Sequence, residues 1–178
     1  MIPIKIKNKS YKIKAISELN TAEFIELSNI DKCDMIKYIA WQTKAPIKDA
    51  WFAVTSKAVE TAIGTMPDIS KLPKSKKFDY GKTIETVGQR HQVEACGLSN
   101  YELLVFVLAV AMAKSNNIDD VYKLRDSYLQ QPFSEILPAG FFFFKILRDG
   151  RSSGLSNLKR LLLSIVIPKL RRPRALIA

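Results

Sequence analysis

The stretch "SNYELLVFVLAVAMAK", residues 99–114, constrains the fold more than any other part of the chain. Ser99 and Glu102 have the spacing of a reciprocal helix cap, and an unbroken apolar run, Leu103–Ala113, follows them. Those residues would make about 16 Å of helix, roughly half of a ~30 Å hydrocarbon slab. A helix that is apolar all round and too short to cross a bilayer has to be surrounded by protein. The sequence therefore predicts a helical body centred on residues 100–113. With 178 residues, 47% of them hydrophobic, the chain has enough material for one domain with a real core.

The same logic extends outward. Asn20 and Glu23 form an N-x-x-E cap ahead of Phe24, Ile25 and Leu27, which predicts a helix over about 21–29. Asp31 is expected to start another, with Met35, Ile36, Ile39 and Ala40 on its buried side. Pro46 suits the first turn of a third, in which Ile47, Trp51, Val54, Ala58 and Ala62 keep to one face until Gly64, so Trp51 is expected in the core. Residues 65–81, with two prolines and four lysines, read as a loop. Helical spacing resumes at Ile84, Val87 and His91 and closes near Cys96 and Gly97. A further amphipathic helix after Asp119 uses Val121, Leu124, Tyr128 and Leu129, and Pro132 opens the next segment.

The chain opens differently. In "MIPIKIKNKSYKIKA" isoleucines alternate with lysines on either side of "NKS", the pattern of a β-hairpin with one apolar face. A lone hairpin is marginal in water, so that face should lie on the helical body or extend a sheet in a neighbouring subunit. The hairpin is expected to be the only regular β structure. The same stretch lacks the continuous apolar run of a secretory signal, which points to a reducing compartment with free, buried thiols at Cys33 and Cys96.

Charge is concentrated at the ends. Residues 1–16 carry five lysines and no acid, and residues 145–178 carry nine Lys/Arg against Asp149 alone, while the whole chain has a net charge of +11. The span between is close to neutral. One-sided charge of this kind marks segments that meet an acidic partner. Near the C-terminal end, "PFSEILPAGFFFFKIL" places four phenylalanines in a row, which on a helix point through about 300° of arc. A small domain can hardly bury them all alone, so either the segment threads through the centre or part of it faces another chain; the second reading puts Phe142 and Phe143 at a partner interface. The polar "RDGRSSG", residues 148–154, reads as a hinge, and Ser156 can cap a helix carrying Leu158, Leu161, Leu162, Ile165 and Val166 up to Pro168. Its apolar run, Leu161–Ile167, is too short to span a bilayer. The expected layout is thus mainly α: a basic hairpin at 1–16, a compact helical bundle at 17–147, the hinge, and a hinged C-terminal arm at 155–178. In that arm Leu161, Leu162 and Ile165 would anchor on a neighbour, while Arg171, Arg172 and Arg174 pair with its acidic groups.

Catalytic chemistry finds little to stand on. His91 is the only histidine and has no Ser, Cys or Asp partner at a suggestive spacing, the cysteines form no CxxC, and there is no glycine-rich phosphate loop. No catalytic residue, metal site or cofactor is expected.

The order of elements, a short basic strand pair ("IPIKIKNKSYKIKAI"), the "SELNTAEFIELSNID" helix and a helical body with "YELLVFVLAVAM", resembles the tail assembly chaperones and related small tail proteins of tailed bacteriophages over about residues 1–147. The resemblance implies a non-enzymatic assembly or structural protein that binds itself or other tail and virion proteins, located in the virion or in the host cytoplasm during assembly. A nucleic-acid reading stands second, on the basic C-terminal tail, although no helix-turn-helix, RNP-like strand or zinc finger accompanies it. Peripheral contact of residues 156–167 with a membrane surface comes third.

Overall fold

The computed structural model describes residues 1–30, 33–54, 60–61, 63–82, 84, 87–113 and 117–149. The chain is mainly helical, with an N-terminal antiparallel hairpin. The described residues group into two compact units, one of Met1–Ser75 with Ser127–Pro138, the other of Lys76–Asp126 with residues 139–149.

In the first unit, β1 (Ile2–Ile6) pairs with β2 (Lys9–Ile13), matching Ile2 with Ile13, Ile4 with Tyr11 and Ile6 with Lys9. Ile4, Ile6 and Ile13 are buried while Lys5 and Lys12 are exposed, as the alternation requires. The turn is Lys7–Asn8, one position earlier than "NKS" suggested, and Lys7 takes a positive φ of 52°. The hairpin is not the only β structure. A two-residue strand β3 (Ala53–Val54) adds to the free side of β1, opposite Lys5 and Ile6, in the order β2-β1-β3. Because Ile6 and Lys9 close a two-residue turn, Pro3 and Lys5 direct their backbone groups away from β2, and Pro3 has no N–H to leave unpaired there.

The helix α1 (Thr21–Ser28) begins as its cap predicted. Asn20 Oδ1 accepts from the Glu23 N–H at 2.8 Å, and Glu23 Oε2 accepts from the Asn20 N–H at 2.9 Å. Helix α2 (Met35–Thr43) starts later than expected: its cap is Asp34, which accepts from the Lys37 N–H, and Asp31 lies outside the described residues. Its buried residues are Tyr38, Ile39 and Ala40, while Met35 and Ile36 are only half-buried. Tyr38 donates its hydroxyl to the Lys14 carbonyl at 2.8 Å, and Gln42 Oε1 accepts from the Lys14 N–H, so α2 closes the end of β2. The segment after residue 127 is bound to the start of α1: Thr21 donates both its N–H and its hydroxyl to the Gln131 carbonyl, and Phe133 stacks on Phe24 with centroids 4.2 Å apart.

The second unit contains α4 (Val87–Ala95) and α5 (Asn100–Met112), and takes its share of α6 (Ile118–Leu129) and α7 (Phe133–Asp149), both of which run through the division between units. Leu103 through Ala111 are all buried, so α5 is the core helix its composition demanded. Ser99, however, makes no side-chain cap bond. Asn100 sits at φ 52°, a conformation Asn tolerates, and this reorients Ser99 relative to the first turn. Gly140 of α7 lies directly against the backbone of Leu104. Helix α7 continues through Arg148 and Asp149, two residues into the stretch expected as a hinge; residues 150–154 and the arm at 155–178 lie outside the described residues.

Candidate interaction surface

The largest departure from the sequence reading lies just after Pro46. The third helix, α3 (Ile47–Ala50), lasts a single turn, anchored by Ala50, before the chain swings into β3. Among the described residues the expected stripe is broken after Ala50. Ile47 is 53% exposed, Trp51 69% and Phe52 63%, the opposite of a core position for Trp51. Ala58 and Ala62 lie outside the described residues. The physical reason is the pairing of Ala53 and Val54 with β1, which diverts the backbone before a second helical turn can bury Trp51.

Charge surrounds these rings. Lys7 Nζ donates to Asp49 Oδ1 at 2.7 Å and stands 5.7 Å from the centre of the Phe52 ring, within cation–π range. The hydrogen bond from Lys7 holds the Asp49 carboxyl below the usual range, and the charges of Lys7, Lys48 and Lys9 push it the same way. Lys7, Lys9 and Lys48 are all exposed. The result is an apolar, mainly aromatic surface with one carboxylate and a rim of three ammonium groups.

The phenylalanine run behaves otherwise. Phe143 and Phe144 are each 1% exposed, and Phe141 and Phe142 are half-buried. Tyr80 lies parallel to Phe143 at 5.9 Å and meets Phe142 edge-on at 4.9 Å. Phe143 thus belongs to the interior of its own unit, and of the two rings expected at an interface only Phe142 is partly open. The missing ingredient in the sequence reading was Tyr80, assigned to a loop, which covers both rings. Leu161, Leu162, Ile165, Arg171, Arg172 and Arg174 lie outside the described residues.

His91 is exposed on α4, and Cys33 and Cys96 are half-buried free thiols, each pushed up chiefly by burial. Among the described residues no group of His, Cys, Asp and Glu could hold a metal ion, and no helix is long and apolar enough to cross a membrane. The exposed surface presents polarisable rings, an aliphatic side chain and ammonium donors. Comparison of the chain with protein-family models, with curated proteins and with solved structures finds no match.

Proposed function

We propose that this chain is a non-enzymatic assembly or structural protein that works by binding other proteins, in the setting of tailed-phage assembly that the order of its elements resembles. The single observation behind this reading is the exposure of Trp51 and Phe52 side by side, with Ile47, inside a lysine rim. Tryptophan and other large aromatics anchor protein interfaces because they bury much apolar area at little conformational cost. Covering Ile47 and Phe52 would each release about 1–2 kcal/mol, and Trp51 somewhat more, before the costs of association. The basic C-terminal segment, residues 155–178, would supply a second contact of the same mixed apolar and basic kind.

Lysines beside exposed rings also suit a single-stranded nucleic acid, whose bases stack while its phosphates meet the ammonium groups. A photo-crosslinking amino acid in place of Trp51, in the full chain expressed from the genome that encodes it, separates the two. Crosslinks to virion or tail proteins are expected, and crosslinks to a second copy would also keep the protein-binding reading. Crosslinks to nucleic acid alone, with none to protein, would favour the other reading.

A further inference from the structure

We propose that the Ile47–Trp51–Phe52 surface docks an acidic, partly apolar protein segment, whose carboxylates engage Lys7, Lys9 and Lys48 while Asp49 serves as their internal placeholder until it arrives. This deepens the protein-binding reading above and rests on it.

Four observations converge. Lys7 is bonded to Asp49, and the charges of Lys48 and Lys9 act on the same carboxylate, so among the described residues positive charge outweighs negative around an apolar centre. Lys5 and Lys12 on the hairpin extend the same sign of field. That field favours an acidic occupant and opposes a basic one.

The position of Asp49 then argues for protein over nucleic acid. A phosphate engaging Lys7 would meet the Asp49 carboxylate, 2.7 Å from that ammonium. A protein segment can leave that spot to a neutral side chain and place its own carboxylates on either flank. Ile47 adds apolar area that stacks with no base but fits an aliphatic neighbour.

A second copy meeting this patch across a two-fold axis is disfavoured by the same charges, since each lysine cluster would face its own image. The resting contact also has a use. With Asp49 on Lys7 and Lys7 over Phe52, the ring is partly covered and the ammonium is not left as a lone charge. Removing the placeholder should therefore strengthen binding of an acidic partner and not of a basic one.

The test uses the full-length protein and three fluorescent probes: a short peptide alternating glutamate with leucine and phenylalanine, the same peptide with lysine for glutamate, and oligothymidine. Anisotropy titrations at low salt should show the acidic peptide binding best, with Asp49→Asn tightening it about threefold and Lys48→Glu weakening it about fivefold. Trp51→Ser should weaken it at least about tenfold, with circular dichroism unchanged. The proposal is overturned if the acidic peptide fails to bind, if the basic peptide or oligothymidine binds as well, or if Asp49→Asn leaves the affinity unchanged or lowers it. Failure with every peptide, alongside protein crosslinks at position 51, would discard the acidic partner and keep the protein-binding reading. Oligothymidine binding that Trp51→Ser abolishes, without protein crosslinks, would discard both.

Discussion

Gly140→Ala should destabilise the protein even though alanine is the better helix former. In the interior of α7 the exchange would by itself favour the helix by about 1 kcal/mol. The added methyl, however, would stand 2.3 Å from the Leu104 carbonyl oxygen, 2.8 Å from its carbonyl carbon and 3.1 Å from its Cβ. The first two obstacles are backbone atoms in the middle of the core helix, so no rotamer change can clear them. Helix α7 or α5 must move by about an ångström, and insertion of a methyl into a close-packed core typically costs about 1–3 kcal/mol, more where backbone has to shift. The net loss should be about 2 kcal/mol. Urea titration followed by far-ultraviolet circular dichroism reads this as a midpoint lowered by about 1 M for a slope near 2 kcal/mol per molar. Gly97→Ala is the control: its new Cβ meets nothing within 4 Å, but φ is +66°, so only the left-handed penalty of about 1–2 kcal/mol applies. A midpoint for Gly140→Ala equal to or above that of the unaltered protein would refute the close approach of α5 and α7.

Phe133→Ala removes a ring that is 2% exposed and stacked on Phe24, and should cost about 3–5 kcal/mol in thermal or urea unfolding. Asn20→Ala breaks the reciprocal cap of α1 and should cost about 1 kcal/mol by the same measurement, with Asn20→Ser recovering most of it. Burial raises the Tyr128 hydroxyl to about 12 and pushes Tyr38 up as well, chiefly by burial. Their protonated forms are thus favoured by folding, so this stability is complete below the ordinary tyrosine pKa of about 10 and is lost as pH rises from there through the folded value. Melting temperatures recorded along the alkaline limb should fall, and Tyr128→Phe should flatten part of the decline.

The elements that could be read from the sequence are those whose cause is local. Asn20 and Glu23 satisfy each other's backbone N–H groups within one turn, so α1 begins where the four-residue signature lies. The β1–β2 hairpin follows from alternation that only a half-buried strand accommodates. Helix α5 could be placed because its composition leaves no solvent-tolerant face. Where a local signal had competition, it failed. Ser99 and Glu102 have the spacing of a cap, yet the left-handed backbone at Asn100 sets the start of α5 instead. Asp34 rather than Asp31 caps α2, a choice between two acids that spacing alone does not make. Tyr80 reads as a loop residue in sequence and fills the space beside Phe142 and Phe143 in the structure, a contact across more than sixty residues that no periodicity encodes.

The exposed surface was illegible for a related reason. The rhythm Ile47, Trp51, Val54 fits a helical stripe, and a helix was the natural reading while β1 was assumed to have one partner. Once Ala53 and Val54 take the second edge of β1, the helix must end at Ala50, and residues that would have shared a buried face fall on a turn. A strand edge that needed covering and a short helix that had to stop together leave Ile47, Trp51 and Phe52 in water. Lys7 at the hairpin turn then reaches Asp49 and the Phe52 ring because β1 pairs with β3 immediately beside that turn. The same pairing that makes the three-stranded sheet thus brings the basic hairpin and the aromatic turn onto one surface.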